Sequence, residues 1–562
     1  MRFAYTPQQI RDAERPLLEA GEPLMARAAF ALYQHVVRAL RSRVERGGRV
    51  VVLVGPGNNG GDALFAAALL AKRPIEVTVV LLGERVHEVG LSAVRSSQAR
   101  IVSCSSTEIT DDLVAFIRSA DTLVDGLLGI GAVGAPRGNA GKLLRRLALN
   151  TPRASGAHQT GSVARTINID RIDESDRPTV IAVDVPSGVN CATGQVQDRN
   201  SILAADLTVT FGALKVGLVA APGCFYAGTI ETVDIGLELL GPTSISGMGD
   251  GAGTDRLVGN EIPIRELEAS DFRSDPLLRE LVERPAPDAH KYTRGVAAVL
   301  SGTARFPGAG VLATSAALHS GLGMIRYLGA AAVAERVTAA MPEIVTVPGR
   351  VQAWTVGSGY EPGDATRRAV LEVLGQPEAA VIDAGAIASL TYEDTTSLHA
   401  RHILTPHAGE LAVLLTRLGT PASRTDVEDN LLSVTRTAHE LTGATIVAKG
   451  PATVIAGRNG TYIQNDGTPR LATAGSGDVL AGILVAAAAR VVAEVEQTSG
   501  GDVSANDHID WAKIAAAGVM LHGLAGRLAA GELLGDSGSR PFSASQVALA
   551  VPGVHAYLAG DR

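Results

Sequence analysis

The sequence predicts an α/β protein with two domains, of which the first is doubly wound. At 562 residues the chain is too long for a single hydrophobic core. Runs of β-branched residues such as Arg49–Val54 are typical of buried parallel strands, and they alternate with helical segments in both halves of the chain. Glycine-rich turns follow several of these strands, as in α/β folds that bind ligands at the carboxyl ends of parallel strands.

The first of these turns, GPGNNGGD at residues 55–62, precedes a helix that we predict from Ala63 to Ala71. The turn is neither the GxGxxG dinucleotide fingerprint nor a Walker loop. A tight turn requires Asn-Gly, but it does not require Asn-Asn-Gly-Gly-Asp. Because the segment contains more asparagine and glycine residues than a tight turn requires, we interpret it as a ligand site. Its two asparagine side chains would add carbonyl and amide groups to the backbone donors.

Polar side chains stand at or just after the ends of three predicted strands, namely Asn59, Asp125 and Asp184. A single aspartate at a strand end is usually a capping or turn residue. Three such loops would converge, because the carboxyl ends of parallel strands lie at one edge of a sheet. Lys215, after the predicted strand Leu207–Phe211, is either a group that binds an anion or a solvated loop residue.

Composition predicts the domain boundaries. We expect a first domain at residues 1–241, a linker at 242–285 and a second domain at 286–562. The segment from about 150 to 178 is polar, mixed in charge and poor in aromatic residues, so we predict a flexible insertion there. The stretch 241–259 is rich in glycine and serine, which is typical of a linker.

The second domain repeats the alternation of strands and helices and contains a second glycine-rich turn. Gly475, Ser476, Gly477 and Asp478 lead into an alanine-rich segment, residues 479–492, that we predict to be helical. Converging backbone amides and the positive end of the helix would form a site for an anion such as phosphate. Asp478 either caps the helix or takes a proton from a hydroxyl that attacks a phosphate, and the pattern alone leaves both readings open.

Composition also excludes some classes of partner. The net charge is -8 and no Lys/Arg cluster stands out, which argues against a nucleic-acid partner. The three cysteines show neither metal-ligand spacing nor a paired framework, and no signal peptide or membrane span is evident, so we expect a cytoplasmic protein. The oligomeric state stays open, with a homo-oligomer as one alternative.

The motifs of both halves together resemble a known pairing. The first half, with GPGNNGGDALF, VDGLLGIGAVGAPRG and AVDVPSG in that order, is similar to the YjeF N-terminal type. The second half, with FPGAGVLA, LTPHAGEL, KGPAT and ATAGSGDVLAG, resembles the ADP-dependent NAD(P)H-hydrate dehydratases. This resemblance implies a Rossmann-like epimerase domain followed by a ribokinase-like dehydratase domain, with NADHX, NADPHX and ADP as small-molecule substrates.

For the first domain the resemblance implies epimerisation of the hydrated nicotinamide at the carbon that bears the hydroxyl. Asp184 would contact the ring as the acid/base group. Asn59, Asp125 and Ser187 would bind K⁺. The remaining residues implied to hold the hydrate are Asn58, Asn59, Gly60, Gly61, Asp62, Gly129, Ile130, Gly131, Ala132, Val133, Gly134 and Ala135.

For the second domain the resemblance implies dehydration of the S epimer, driven by conversion of ADP to AMP and phosphate, with Mg²⁺ as the phosphate partner. Asp478 would deprotonate the ring hydroxyl. Ala309, Gly359 and His407 would hold the hydrate. The residues implied to bind the nucleotide are Lys449, Gly450, Pro451, Ala452, Thr453 and Gly477.

The sequence also departs from the family pattern. The loop after Val356 reads GSGYE where GPGLG is common, and the Asp383 turn reads DAGAI where a second aspartate is frequent. The alternative reading is a ribokinase-like small-molecule kinase fused to a non-catalytic nucleotide-binding module. Nucleotide choice and phosphate release would discriminate between the two.

Overall fold

The computed structural model describes residues 1–40, 48–83, 85–104, 108–151, 177–239, 263–499, 508–533 and 539–560. These residues form two compact units. Described residues between 3 and 264 make up the N-terminal unit, and those from 265 onward, with Met1–Arg2, make up the C-terminal unit. Most of the insertion predicted at 150–178, and the part of the predicted linker before residue 263, lie outside the described residues.

A parallel sheet of seven strands forms the centre of the N-terminal unit, in the order β4-β3-β2-β5-β6-β7-β9. Strands β1 and β8 pair with each other in parallel. The order reverses between β2 and β5, which is the switch point of a Rossmann-like doubly wound fold, so the predicted fold class is confirmed. The strands are β1 Arg2–Tyr5, β2 Arg49–Val54, β3 Glu76–Leu81, β4 Arg100–Ser103, β5 Thr122–Gly126, β6 Thr179–Val183, β7 Leu207–Phe211, β8 Leu214–Lys215 and β9 Thr229–Val233.

Helices cover both faces of this sheet. Strands β2, β5 and β6 are buried almost throughout, as their continuous apolar sequences predict, and two hydrophobic clusters lie on opposite faces of the sheet. The helices are Pro7–Glu19, Leu24–Ala39, Asn58–Leu70, Glu88–Arg95, Asp111–Arg118, Gly138–Leu147 and Val216–Val219, with a 3₁₀ turn at Gly223–Tyr226.

The sheet of the C-terminal unit runs in the order β12-β11-β13-β14-β15-β16-β17-β18-β10. Its pairs are parallel from β12 to β16, antiparallel at β16-β17 and β17-β18, and parallel again at β18-β10. The strands are β10 Ile264–Glu266, β11 Val296–Leu300, β12 Met324–Tyr327, β13 Ala353–Val356, β14 Ala379–Ile382, β15 His402–Leu404, β16 Thr445–Ala448, β17 Thr453–Gly457 and β18 Gly460–Gln464.

The long helix Ser476–Thr498 lies at the centre of this unit. Nearly all its residues up to Ala493 are buried, and a methyl group at Gly482 would lie 2.2 Å from the Ala313 carbonyl oxygen, so glycine permits close helix packing. The helices are Asp271–Ser274, Pro276–Glu280, Pro307–His319, Ala331–Ala340, Asp364–Leu374, Gly385–Ser389, Tyr392–Thr395, Ala408–Arg417, Arg424–Asp429, Leu431–Thr442, Ser476–Thr498, Trp511–Ala530 and Ala544–Ala559, with a 3₁₀ turn at Pro469–Leu471.

Two elements differ from the sequence expectation. The helix predicted from Ala63 begins at Asn58, so the Asn-Asn-Gly-Gly-Asp segment is its first turn and not a loop before it. The end of the predicted linker is ordered: β10 pairs with β18, and Phe272 and Leu278 are fully buried in the C-terminal core. Burial of these apolar side chains explains why the segment folds with the second unit.

One further finding concerns membranes. No helix among the described residues is both long enough and apolar enough to cross a bilayer.

Candidate active sites

In the N-terminal unit, the loops after β2, β5 and β6 lie close together at the switch point of the sheet. A methyl group at Gly55 would lie 1.9 Å from the Leu127 carbonyl oxygen, and one at Gly60 would lie 2.1 Å from the Gly55 carbonyl oxygen. Only glycine therefore fits at these two positions. The glycines bring the first turn of the helix Asn58–Leu70 against the loop that follows β5.

Asn59, Asp125 and Ser187 are joined through the backbone of Leu128. Asn59 Nδ2 donates to the Leu128 carbonyl at 2.9 Å, and the Leu128 amide donates to Ser187 Oγ at 2.9 Å. Ser187 in turn donates from Oγ to Asp125 Oδ1 at 2.6 Å and from its amide to Asp125 Oδ2 at 2.9 Å. One network thus holds the three residues predicted to bind K⁺.

The chemistry of this donor set fits a monovalent cation. Asp125 is fully buried, and burial raises the pKa of its carboxyl while the hydrogen bonds from Ser187 and Leu127 lower it. No ion pair of Asp125 is found in the part of the chain that the structure describes. A bound cation would supply the missing positive charge, and the Asn59 Oδ1 atom is left for it because the amide nitrogen already bonds Leu128.

The loop predicted to hold the hydrate, Gly129 to Ala135, lies beside this network. A methyl group at Gly129 would lie 3.4 Å from Asn59 Oδ1, whereas one at Gly131 would meet nothing within 4 Å. Val133 is 74% exposed, which is unusual for valine. The loop therefore presents an apolar side chain to solvent beside the network, where a ligand could contact it.

Asp184 follows β6 in a left-handed backbone conformation, with φ of 66°. This conformation is uncommon for a residue other than glycine and often marks a functional position. Its Oδ1 atom accepts hydrogen bonds from Lys215 Nζ at 2.5 Å, the Phe211 amide at 3.1 Å and Thr210 Oγ1 at 3.2 Å. These contacts fix the carboxylate through one oxygen.

Lys215 is 1% exposed and cannot be the solvated loop residue that one reading allowed. Besides Asp184, its ammonium group donates to the Phe211 carbonyl at 2.6 Å and to Thr210 Oγ1 at 2.9 Å. All three N–H donors are used, so the lysine pairs with Asp184 and has no donor left for a ligand.

Asp62, in the first turns of the helix Asn58–Leu70, is also buried, at 8% exposure. Its Oδ1 atom has no hydrogen-bond partner in the described ranges of the chain. Burial raises the pKa of this carboxyl well above its usual range, and the negative charges of Asp184 and Glu14 raise it further.

In the C-terminal unit, the glycine-rich turn before the helix Ser476–Thr498 has an open face. Gly475 caps the helix with φ of 87°, in the left-handed region that favours glycine. A methyl group at Gly477 would meet a single neighbour within 4 Å, the Lys449 ammonium at 3.6 Å. The predicted nucleotide lysine and the predicted anion turn are therefore adjacent, and both supply positive charge or N–H donors.

Asp478 lies in the first turn of this helix and is partly exposed. Burial raises the pKa of Asp478 to about 6, with a further upward contribution from Asp383 and a downward one from Lys449. A carboxylate of this basicity accepts a proton more readily than an ordinary aspartate. No side chain caps this helix, so the capping interpretation of Asp478 is not supported.

A hydrogen-bonded network holds Lys449 in place. Lys449 Nζ donates to Asp383 Oδ1 at 2.8 Å and lies 3.9 Å from Glu410 Oε2. Asp383 also accepts from Thr405 Oγ1 at 2.7 Å and Ser358 Oγ at 2.8 Å. Burial alone would raise the pKa of Asp383, but Lys449 and the two hydroxyls outweigh it, so the pKa lies below its usual range.

The residues predicted to hold the hydrate lie in two groups. A methyl group at Gly359, where φ is 73°, would lie 2.6 Å from Ala309 Cβ, so these two residues are neighbours. The loop lacks the proline and the last glycine of the common pattern, and Gly359 has a left-handed backbone conformation beside Ala309. His407 begins the helix Ala408–Arg417, its side chain is exposed, and its backbone forms a bridge with Lys449.

The turn from Lys449 to Thr453 joins the antiparallel strands β16 and β17. Thr453 Oγ1 donates to the Gly450 carbonyl at 3.2 Å, and Ala452 is fully buried. Pro451 is exposed. The turn thus presents its first residues at the edge of the sheet and anchors its end in the core.

Two residues at these sites were not among the predicted ligands, Asp383 and Glu410, which join the Lys449 network. Lys215 was a candidate for binding an anion, but it pairs with Asp184 instead. Asp383 carries the same signal as Asp125 and Asp184, an aspartate at or directly after the end of a buried strand. Nothing in sequence spacing pairs either lysine with its carboxylate, because the partners come from different loops.

Ser476 in the anion turn also has a buried partner. Its Oγ atom lies 3.1 Å from His522 Nε2, and burial lowers the pKa of His522 to about 4. The histidine is therefore neutral near pH 7, and it orients a hydroxyl at the mouth of the turn. Sequence reasoning gave no indication of this pair.

Comparison with known proteins matches both halves. The profile described as NAD(P)H-hydrate dehydratase matches residues 297–536, and the profile described as YjeF-related protein N-terminus matches residues 21–217. The ribokinase-like class expected for the second domain agrees with the first of these matches.

Similar proteins match over much of the chain. The bifunctional NAD(P)H-hydrate repair enzyme of Mycobacterium tuberculosis is 35% identical over 498 residues, covering 86% of this chain and 88% of the relative. The NAD(P)H-hydrate epimerase of Clavibacter michiganensis is 43% identical over 244 residues, covering 43% of this chain and 94% of the relative. The solved ADP/ATP-dependent NAD(P)H-hydrate dehydratase of Bacillus subtilis covers 52% of this chain and 99% of its own, with 23% identity and a TM-score of 0.43.

The two profiles occur in the order that the motifs predicted, and the similarity to the mycobacterial enzyme spans both units. The chain belongs to the family of bifunctional NAD(P)H-hydrate repair enzymes.

Proposed function

We propose that this chain repairs hydrated NADH and NADPH in two steps. The N-terminal unit interconverts the R and S epimers of the hydrate, and the C-terminal unit dehydrates the S epimer with ADP, releasing AMP and phosphate. The single observation that carries the proposal is the position of Asp478, a carboxylate with a pKa of about 6, in the anion turn that Lys449 faces. A general base beside a phosphate site is the arrangement that phosphorylation of a hydroxyl requires.

In the dehydratase reaction the substrate hydroxyl is first made into a better leaving group. Asp478 removes the hydroxyl proton, and the oxygen attacks the terminal phosphorus of ADP, so that AMP leaves. The amides of residues 475–477 and the Lys449 ammonium stabilise charge on the transferring group. The lone pair of the neighbouring ring nitrogen then expels phosphate, and loss of a proton from the adjacent carbon restores the dihydropyridine.

The other predicted contacts support this arrangement. Ala309 and Gly359 form one wall for the hydrate, and His407 lies at the start of a helix whose backbone meets Lys449. The turn that begins at Lys449 and ends at Thr453 would bind the nucleotide, together with Gly477. Lys449 stays charged because Asp383 and Glu410, despite burial, raise the pKa of its ammonium group.

Mg²⁺ fits this site as a partner of the phosphates. No cluster of three His, Cys, Asp or Glu side chains that could hold a metal exists within the described ranges. Mg²⁺ commonly keeps several waters and uses one or two carboxylates together with substrate phosphates. Glu410 is a carboxylate near the anion turn that could take this role, and the ion would neutralise charge on the phosphates.

In the epimerase reaction we assign Asp184 as an acid/base group. Its Oδ1 atom accepts three hydrogen bonds from the protein, so we assign Oδ2 as the atom that would contact the hydrated ring. Residues 58–62 and the Gly129 to Ala135 loop would hold the hydrate around it. K⁺ held by Asn59, Asp125 and Ser187 would join three loops and supply positive charge beside the substrate.

We place both reactions in the cytoplasm. The three cysteines, Cys104, Cys191 and Cys224, are free and buried. Free thiols are usual in a reducing compartment, where NADH and NADPH also serve metabolism.

The test is a repair assay with purified protein. A mixture of the R and S hydrates is incubated with ADP, and NADH recovery and phosphate release are followed together. Complete recovery of NADH with one phosphate per NADH supports both activities, whereas recovery of only the S fraction removes the epimerase. A stable phosphorylated product formed with ATP would instead support the kinase alternative.

A further inference from the structure

Two buried carboxyl groups in the epimerase cleft lie in different environments. Asp62 is in the first turns of the helix after β2, and Asp184 directly follows β6. Both strands lie next to β5, so their carboxyl ends share one edge of the sheet. The two residues are each 8% exposed, and the charge of Asp184 raises the pKa of Asp62.

Asp184 is bound to a positive partner. Lys215 Nζ donates to its Oδ1 atom at 2.5 Å, and the Phe211 amide and Thr210 Oγ1 donate to the same atom. Three donors on one oxygen fix the orientation of the carboxyl group and leave the other oxygen, Oδ2, for a reacting group.

Asp62 has no such partner among the residues that the structure describes. Within that part of the chain its buried Oδ1 atom accepts no hydrogen bond, although a buried carboxylate oxygen normally has at least one donor. The charged groups that act on Asp62 are Asp184 from the β6 loop, Glu14 from the first helix and, more weakly, Lys215 from β8. His87, the cap of the helix Glu88–Arg95, lies next to Gly61.

These surroundings favour the neutral acid. Burial and two neighbouring negative charges raise the pKa of Asp62, and the positive charge of Lys215 is already used by Asp184. Two carboxyl groups with such different surroundings are the usual sign of a paired acid and base.

We propose that Asp62 is the general acid of the epimerase, protonating the hydroxyl that leaves the hydrated ring, with Asp184 as the base that activates the returning water. This assignment rests on the proposed epimerase function. It adds the residue that protonates the leaving hydroxyl, which that proposal did not name.

In the direction from R to S, the hydroxyl leaves as water from one face of the ring, and a water molecule adds to the opposite face. Asp62 gives its proton to the ring hydroxyl, the C–O bond breaks with both electrons on oxygen, and water leaves. The ring nitrogen lone pair forms a C=N⁺ bond. Water then attacks the opposite face, the C=N⁺ electrons return to nitrogen, and Asp184 Oδ2 takes the proton released by the water. Exchange with solvent returns Asp62 to its acid form and Asp184 to its carboxylate.

This chemistry explains why a neutral acid is needed. Hydroxide is a poor leaving group, so C–O cleavage requires a proton on the oxygen. The alternative route, ring opening to an aldehyde, begins with removal of the hydroxyl proton and makes no use of an acid on that oxygen.

The first experiment replaces Asp62 in the full chain. We expect Asp62→Asn, which keeps the shape and loses the proton, to lower kcat for epimer interconversion by about 10²–10⁴ while changing KM much less. The dehydratase rate with pure S hydrate and ADP, measured on the same sample, should equal that of the unmodified chain, which reports that the C-terminal unit is folded. The nearly unchanged KM for the hydrate reports the same of the N-terminal unit. A normal kcat in Asp62→Asn overturns the assignment.

The second experiment follows oxygen. In ¹⁸O-labelled water, each enzymatic inversion should place one solvent oxygen on the ring, and mass spectrometry of the separated epimers measures it against a sample without enzyme. Inversion without label above that background overturns the leaving-hydroxyl step.

The third experiment uses pH. The rate should fall at high pH as Asp62 loses its proton, and Glu14→Gln should move this fall to lower pH because it removes a negative charge that raises the pKa of Asp62. An unchanged high-pH limb in Glu14→Gln counts against Asp62 as the titrating acid. If the unmodified chain interconverts no epimers at all, the proposed epimerase function fails instead, which distinguishes the two failures.

Discussion

The two candidate active sites each contain a lysine that bonds an aspartate, and we propose different roles for the two lysines. In the N-terminal unit, Lys215 bonds the reactive carboxylate Asp184 directly. In the C-terminal unit, Lys449 bonds a neighbouring carboxylate, Asp383, and the reactive Asp478 has no direct bond to the lysine. The first lysine therefore serves the protein, while the second stays available to an incoming anion.

The two lysines also differ in how exposed their side chains are. The Lys215 side chain is 1% exposed and uses all its donors, whereas the Lys449 side chain is 20% exposed and faces the Gly477 backbone. An ammonium group that is held by a carboxylate yet partly open can bind phosphate without being buried alone. The comparison teaches that a lysine beside an aspartate at a strand edge can either fix a catalytic group or recruit a substrate, depending on which carboxylate it bonds.

The comparison is tested most strongly by Asp478→Asn. We expect dehydration of the S hydrate to fall by about 10³-fold or more, because the variant cannot accept the hydroxyl proton. Epimer interconversion in the same preparation should stay normal. Assays of NADH formation with ADP measure the first and chiral separation of the epimers measures the second, and near-normal dehydration would remove Asp478 as the base.

The next largest effect concerns the lysine that fixes a catalytic group. Lys215→Met should lower epimerase kcat by roughly 10–10³-fold, because Asp184 loses the lysine that orients it and the positive charge that balances its own. Lys215→Arg is the matched control that keeps the charge, and partial rescue is expected. If Lys215→Met raised KM alone, the lysine would be a ligand group and the comparison would fail.

The lysine that recruits substrate should behave differently. Lys449→Met should raise the KM for ADP by about 10-fold or more, since it removes a cation beside the anion turn. Epimerase kinetics should not change. Lys449→Arg should restore part of the affinity, and an unchanged KM for ADP in Lys449→Met would contradict the assigned role.

A fourth prediction uses pH and concerns the rate. Dehydration should fall as pH drops through about 6, because the pKa of Asp478 is raised to about 6 and only the carboxylate accepts the proton. The kcat of the unmodified chain with S hydrate and ADP, measured from pH 5 to 8, checks this. A rate that is flat down to pH 5 would mean that Asp478 titrates as an ordinary aspartate.

The smallest expected effect is on stability. The pKa of Asp478 is higher in the folded chain than its ordinary 3.8, so the folded state binds the proton more tightly than the unfolded state. The free energy of unfolding therefore decreases as pH rises from about 4 to 6. Asp478→Asn should stabilise the C-terminal unit by roughly 1–2 kcal/mol at pH 7.5, after allowance for partial exposure, and very little at pH 4.

The chain offers a direct probe for this measurement. Its two tryptophans, Trp354 and Trp511, both lie in the C-terminal unit, so tryptophan fluorescence during urea unfolding reports on that unit. Equal stabilisation at both pH values would show that the effect comes from packing and not from the raised pKa.

Sequence patterns determined the fold class and the approximate location of the chemistry. Continuous β-branched runs gave strands such as β7, Leu207–Phe211, at the predicted bounds, because a strand buried on both faces must be apolar throughout. Aspartates at strand ends marked the edge where loops meet. The glycines of both turns also stood out, since Gly55 and Gly475 occupy positions that larger residues would not fit.

Tertiary structure alone decided which side chains become partners. The pairing of Lys215 with Asp184, of Lys449 with Asp383 and of Ser476 with His522 joins loops or helices that lie far apart in sequence, and no local pattern encodes such contacts. The start of the helix Asn58–Leu70 was likewise set by packing, because the close approach of Gly60 to Gly55 holds the glycine segment in helical form. Local propensity and periodicity act within a few residues, whereas burial and charge depend on every element that surrounds a group, and so the surroundings that support the proposed roles of Asp62, Asp184 and Asp478 follow only from the folded chain.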